Sequence, residues 1–219
     1  MFKWHITRFE EIDSTNTEAH RNLDVAKEGT VWTALYQTHG RGQYTRKWES
    51  TKGLNLLATI LLRPEFLPAN KQFHISKCTA LAVCDFLRTQ GLDPRIKWPN
   101  DIYIGTNKIC GILIEHQLSG NRLTASIIGF GINVNQTVFG GAPNPTSLAL
   151  ETGKEYDVES LLPKVLIHVQ KWYQTLQNGE SGKIDIQYEA LLINKPDYEK
   201  NGDILPANDR AAAPGPSGN

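Results

Sequence analysis

Two short stretches of this 219-residue chain set cations beside glycines, an arrangement suited to holding an anion. In the first, Lys97-Trp98-Pro99-Asn100-Asp101 is followed after six residues by Lys108, and then by Gly111-Ile112-Leu113 and Glu115. Residues 109–114 are nearly all apolar, as in a strand covered on both faces. Glycine inside such a strand often marks the close approach of a ligand or of another backbone. On position alone Lys108 is a solvated charge beside a hairpin loop. The apolar wall and the glycine gap suit instead a cation that meets a bound anion where water does not compete. The second stretch is Gly40-Arg41-Gly42-Gln43-Tyr44-Thr45-Arg46-Lys47-Trp48. Its glycines permit unusual backbone angles and close approach to a ligand. Arg41, Arg46 and Lys47 make it either a solvated basic loop or a lid over phosphate and carboxylate, anions that the arginine fork binds bidentately.

The elements that must position these residues can be read from pattern. Trp98 precedes proline and is therefore pushed into extended conformations. Asn100 and Asp101 favour a bend. Residues 102–104 and 109–116 read as strands around the turn Gly105-Thr106-Asn107. This hairpin is expected to carry Asn100 and Asp101 at one end and Lys108 at the other. Upstream, residues 4–9 read as a strand. Ser14 reads as the N-cap of a helix with Glu18 in its first turns. Ser14, Thr15 and Asn16 are then either a plain capped start or a set of polar groups at a helix N-terminus suited to a ligand. Residues 30–38 are β-rich, and residues 53–62 form a long apolar strand stopped by Pro64. Residues 68–90 read as a helix with Ile75, Cys78, Thr79, Ala82, Val83, Phe86 and Leu87 on one face, ended by Gly91. On this reading Cys78 and Cys84 are inert. Residues 123–130 are a further strand, running into Gly129-Phe130-Gly131-Ile132-Asn133. Residues 136–147 are a loop, residues 158–176 an amphipathic helix with Pro163 in its first turns, and residues 185–193 a short last helix.

Composition narrows the function. The formal charge is zero, from 23 basic and 23 acidic residues, which argues against a nucleic-acid partner. No apolar run approaches a membrane span and the N-terminus has no signal core, so no membrane partner is expected and cytoplasm is the default. Three cysteines without a CxxC pair argue against a disulfide framework or a zinc site. The six histidines show no HxxxH spacing, so no residue is assigned as a metal ligand.

The block Lys97-Trp98-Pro99-Asn100-Asp101, with Lys108, Gly111 and Glu115 at fixed offsets, resembles the signature of biotin–protein ligases. The Ser14-Thr15-Asn16 run, the Gly40-Arg41-Gly42 loop ending in Trp48, and the Gly129/Gly131/Asn133 stretch are similar to the same family in the same order. The resemblance covers roughly residues 12–196. It implies an α/β (α+β) fold: a mixed, largely antiparallel central sheet with flanking helices, like the catalytic domain of class II aminoacyl-tRNA synthetases. The catalytic domain would span residues 1–194. Residues 195–219 are too few for the family's small β-barrel and read as a truncated or replaced, disordered segment. No helix-turn-helix precedes the catalytic part, so a repressor role is not expected.

The resemblance further implies an ATP-dependent ligase that forms biotinyl-5′-AMP and passes the biotinyl group to a lysine of a biotin carboxyl carrier domain. ATP and Mg²⁺ would be co-substrate and ion. Lys108 and Arg41 would be the catalytic residues. Biotin would meet Ser14, Thr15, Asn16, Gln37, Gly40, Arg41, Gly42, Gln43, Lys108, Gly111 and Gly129. ATP would meet Arg41, Arg46, Trp48, Lys97, Asn100, Asp101, Lys108 and Asn133, with Phe139 stacking on adenine. Exposed strand edges pair two protomers in parts of the family, so a homodimer is an expectation. The loop departs from the commonest family form at Gln43, Tyr44 and Thr45, where further arginine and glycine are usual. The alternatives are a weakly active biotin- or biotinyl-AMP-binding protein, which the missing barrel and the reduced loop charge keep open, and a lipoate or octanoate transferase, against which the Lys97–Asp101 block argues.

Overall fold

The computed structural model describes residues 3–43, 46–141 and 144–193. Seven strands form one mixed sheet: β1 (His5–Phe9), β2 (Thr30–Ala34), β3 (Asn55–Leu62), β4 (Pro94–Lys97), β5 (Asp101–Ile104), β6 (Asn107–Ser119) and β7 (Arg122–Asn133), in the order β1-β2-β3-β7-β6-β5-β4. β1 and β2 run parallel; every other pair is antiparallel. Among the described residues five α-helices accompany it: α1 (Thr15–Arg21), α2 (Phe73–Thr89), α3 (Leu148–Thr152), α4 (Val158–Gln177) and α5 (Ser181–Leu191).

β3 is buried at all eight positions, because both faces of the sheet are covered there. Side chains alternate between faces along a strand. Leu56, Ala58, Ile60 and Leu62 join a core built with the apolar stripes of α2, α4 and α5. Ile128, Phe130 and Ile132 of β7 and Cys110, Ile112 and Ile114 of β6 point into the same layer. The opposite face carries a smaller cluster of Ala19, Trp32, Leu61, Ala125 and Ile127 beneath α1. Further along that second face lie Gly111, Gly129 and Gly131 with Leu57, Thr59 and Leu113, and these make the floor of the site.

Several boundaries differ from the sequence reading. The helix expected over residues 68–90 is a 3₁₀ turn, Ala69–Lys71, followed by α2. β2 stops at Ala34, and the chain beyond it diverges to bridge Gln37 with Ile12. α3 was not foreseen; it is one short helix whose N-cap Ser147 side chain accepts from the Leu150 N–H. The last helix starts at Ser181, not at residue 185. Its C-terminal neighbour Ile193 donates its N–H to the Ile96 carbonyl at 3.0 Å, which ties the chain to the β4 edge of the sheet. The expectations for residues 195–219 and for Tyr44 and Thr45 lie outside the described residues.

Candidate active site

The floor of the site follows from strand register. Leu57 of β3 faces Gly131 of β7, which faces Gly111 of β6, which faces Asp101 of β5. One step along, Thr59 faces Gly129, which faces Leu113. Three glycines on neighbouring strands thus leave a trough. A Cβ at Gly131 would sit 2.5 Å from Trp48 Cε2, one at Gly111 would sit 2.9 Å from Trp48 Cζ3, and one at Gly129 would sit 2.0 Å from Asn16 Oδ1. The gap expected at Gly111 is therefore real, but here the Trp48 indole lies over it. The indole Nε1 is a buried donor without a hydrogen-bond partner among the described residues.

Lys108 reaches this face because of a bulge. Ile102 pairs with Cys110, yet Tyr103 pairs with Lys108, so Ile109 is an extra residue in β6. A one-residue insertion flips the facing of everything beyond it. Without it Lys108 would share the face of Cys110 and point into the core. With it, Lys108 Nζ comes 3.4 Å from the place of a Gly111 Cβ and 2.7 Å from Asp101 Oδ1. This corrects the expected hairpin, in which Asp101 and Lys108 stood at opposite ends: the backbones do, but the long lysine side chain folds back along the strand. The Lys108 backbone is pinned from outside. Its N–H donates to the Asn144 carbonyl (2.7 Å) and its carbonyl accepts from the Thr146 N–H (2.9 Å).

The upper wall is a polar chain. Gln37 Oε1 accepts from the Thr15 N–H (2.7 Å) and lies 3.0 Å from the Thr15 hydroxyl. Thr59 Oγ1 lies 2.8 Å from Thr15 Oγ1 and donates to Asn16 Oδ1 (2.6 Å). Asn16 Nδ2 donates to Glu115 Oε2 (3.0 Å), and Arg41 grips Glu115 with both terminal nitrogens, at 2.7 and 3.3 Å. Burial raises the Glu115 pKa, but the Asn16 hydrogen bond and the Arg41 charge outweigh it, and the carboxyl titrates below its ordinary value. Ser14 stands at the N-cap position of α1, yet its side chain makes no capping bond. The expected N-cap position holds without the side-chain bond, and Ser14 is among the residues lining the cleft.

Of the expected site residues, Ser14, Thr15, Asn16, Gln37, Arg41, Gly42, Gln43, Arg46, Trp48, Asn100, Asp101, Lys108, Gly111 and Gly129 line one cleft. Four of the expected residues sit elsewhere. Gly40 lies behind the loop, its carbonyl accepting from the Trp48 N–H (3.0 Å). Lys97 extends over the Tyr103 ring, 5.2 Å from its centroid. Asn133 is buried and donates to the Thr146 carbonyl (2.9 Å), so it braces the segment that pins Lys108. Phe139 is half-buried in the loop after β7 and is not among the residues lining the cleft. Asn100 spends its amide on the Ile112 carbonyl (2.6 Å), which continues the β5–β6 ladder and sets Asp101 in place. Leu57 and Ala58 also line the cleft and were not foreseen; Ile112, Leu113, Phe130 and Gly131, members of the sequence motifs, line it as well. Thr59 and Glu115 hold its walls; a threonine and a glutamate interrupting apolar strands were the available signals.

Electrostatically the cleft suits anions. Arg41, Arg46, Lys47 and Lys108 line it, against one lining carboxylate among the described residues, Asp101. No nucleophilic cysteine is available: burial pushes Cys84 up to about 12 and raises Cys78 and Cys110 as well, so all three stay as thiols. Among the described residues no group of three His, Cys, Asp or Glu could hold a metal by itself, and no helix is long and apolar enough to cross a membrane.

Comparison with known proteins identifies the family of the chain. Residues 8–133 match the model of the biotin/lipoate A/B protein ligase family. The bifunctional ligase/repressor BirA of Bacillus subtilis is 34% identical over 200 residues, covering 86% of this chain and 60% of the relative. This chain thus spans less than two thirds of that protein's length. The biotin–[acetyl-CoA-carboxylase] ligase of Paracoccus denitrificans is 35% identical over 173 residues, covering 75% of this chain and 71% of the relative. The solved structure of the Aquifex aeolicus biotin protein ligase in complex with biotin and ATP superposes with a TM-score of 0.74 at 29% identity, covering 88% of this chain and 79% of that one. The mixed sheet with flanking helices is accordingly the class II synthetase-like fold that the sequence resemblance implied, and the chain belongs to the biotin/lipoate A/B protein ligase family.

Proposed function

We propose that this chain is an ATP-dependent ligase that activates biotin as biotinyl-5′-AMP and transfers the biotinyl group to a lysine of a biotin carboxyl carrier domain. The observation that carries this reading is the shared cleft of Arg41 and Lys108 over a glycine floor, in a chain 35% identical to a protein named biotin–[acetyl-CoA-carboxylase] ligase. In the first step a biotin carboxylate oxygen bonds to the α-phosphorus of ATP, and the bond from that phosphorus to the bridging oxygen breaks, releasing pyrophosphate. The carboxylate is already ionised at neutral pH, so no general base is needed. Two anions must be held together and developing phosphate charge balanced. Lys108 and Arg41 supply that charge. In the second step the acceptor lysine nitrogen bonds to the acyl carbon and AMP leaves; the amine must first lose its proton. Burial of the mixed anhydride beneath the 40–48 loop and Trp48 limits hydrolysis.

Mg²⁺ arriving with nucleotide phosphates needs only one or two protein carboxylates. Asp101, the carboxylate lining the cleft, fits that demand and would hold it. Bound there, Mg²⁺ would offset phosphate charge.

Incubation with an apo carrier domain, ATP and biotin, followed by avidin blotting, tests this function. A labelled carrier is expected. Biotin binding by calorimetry without any labelling would favour a binding protein, and labelling by lipoate but not biotin would favour the other branch of the family. A homodimer and a cytoplasmic location are further proposals, resting on the family resemblance.

A further inference from the structure

We propose that Thr146 is a positioning residue for Lys108: it fixes the lysine backbone next to the Ile109 bulge, and so sets where the ammonium points. The inference rests on the ligase reading for what Lys108 does, and on hydrogen bonds alone for how it is held. β7 pairs with β6 only from Cys110 onward and ends at Asn133. Beyond that point residues 144–146 take its place beside β6, with Pro145 bridged to Lys108 in parallel. The Lys108 N–H donates to the Asn144 carbonyl (2.7 Å), and its carbonyl accepts from the Thr146 N–H (2.9 Å). Such a bridge uses the neighbours of the paired residue, so Pro145 loses nothing by lacking an N–H.

Thr146 is buried, and each of its polar groups is engaged. Besides the N–H, its carbonyl accepts from Asn133 Nδ2 (2.9 Å) and its hydroxyl donates to Glu151 Oε1 (2.5 Å). Glu151 belongs to α3, which is anchored by the fully buried Leu148 and by the Ala149 N–H on the Val134 carbonyl (2.8 Å). Thr146 therefore stands between a fixed helix and the lysine of the cleft. The bulge makes this hold matter. A bulge interrupts the ladder locally, so pairing with β5 alone secures Lys108 less firmly. A slip of one residue would turn its side chain to the Cys110 face, into the core. The bridge through Asn144 and Thr146 opposes that slip.

Amide hydrogen exchange of the unliganded full chain, followed residue by residue by NMR, tests the hold without any catalysis. Thr146→Val keeps the shape and deletes the hydroxyl bond. It is expected to speed exchange at the Lys108 and Thr146 amides about ten-fold or more, while the β3 amides of Ala58 and Ile60 keep their protection. Thr146→Ser, which retains the hydroxyl, should restore the wild-type rates. Glu151→Ala breaks the same bond from a half-buried residue and should give the same pattern, which covers a Thr146→Val that fails to fold. Biotin-dependent exchange of pyrophosphate into ATP should fall about ten-fold in Thr146→Val and recover in Thr146→Ser. In a Lys108→Ala background Thr146→Val should cost nothing more, because it acts through the lysine. Undisturbed protection at Lys108, a loss of protection that extends to β3, or a loss of activity that persists in full without Lys108 would overturn the proposal. A wild-type protein with no biotin-dependent exchange would sink the ligase reading instead, and the Lys108 amide would still decide the positioning role.

Discussion

Thr59 Oγ1 donates to Asn16 Oδ1 over 2.6 Å, and this bond ties the most deeply covered strand of the sheet to the first turn of α1. It also fixes the Asn16 amide, whose oxygen faces the Gly129 floor while its nitrogen faces Glu115. Thr59→Val keeps the shape and removes the hydroxyl. Leaving a buried acceptor unpaired costs about 1–3 kcal/mol. Calorimetry should show biotin affinity lower by roughly ten-fold, with the fold kept. Unchanged affinity would mean that Asn16 holds its place without Thr59.

Gly129→Ala should damage the same wall from below. Its Cβ would land 2.0 Å from Asn16 Oδ1, a distance no real contact allows, so the asparagine must move. Biotin affinity is expected to fall at least as far as in Thr59→Val. Gly131→Ala would press on the Trp48 ring, which belongs to a loop and can lift. Thermal melting should therefore drop less for Gly131→Ala than for Gly129→Ala. Equal losses would show that the tryptophan is as fixed as the asparagine.

Burial of His116 makes one contribution to the pH dependence of stability. Burial drives His116 down from 6.5 to about 4. As pH falls, the unfolded chain takes up this proton before the folded one does. The contribution to stability is full above about 6.5 and is lost as pH falls through about 4, on the order of 3 kcal/mol. Urea unfolding at pH 7 and pH 4.5 should show a smaller difference for His116→Gln than for the wild type. Identical differences would remove His116 from the account.

Much of this site was readable before any coordinates because its chemistry depends on residue types with few other uses in such places. Glycines within apolar strands announced the trough, and Arg41 and Lys108 announced its charge. What could not be read depended on register. Lys108 faces the cleft only because Ile109 bulges out of the ladder, and no local pattern marks that insertion. Trp48 covers the glycines through a loop path that spacing cannot predict. Glu115 and Thr59 were visible as polar residues in apolar strands, yet their partners lie 74 to 99 and 43 to 44 residues away in sequence. The bond from Asn133 to the Thr146 carbonyl was likewise not legible, since it depends on where the loop after β7 returns.

Biotin-dependent exchange of pyrophosphate into ATP by Lys108→Ala bears most directly on the paired-cation cleft. A well-placed charge donor is typically worth about 10²–10³ in rate. The variant should lose at least about a hundred-fold in exchange while its melting temperature stays near that of the wild type. A folded Lys108→Ala protein exchanging at the wild-type rate would contradict the assignment of Lys108, and with it the cleft as the site of biotin activation.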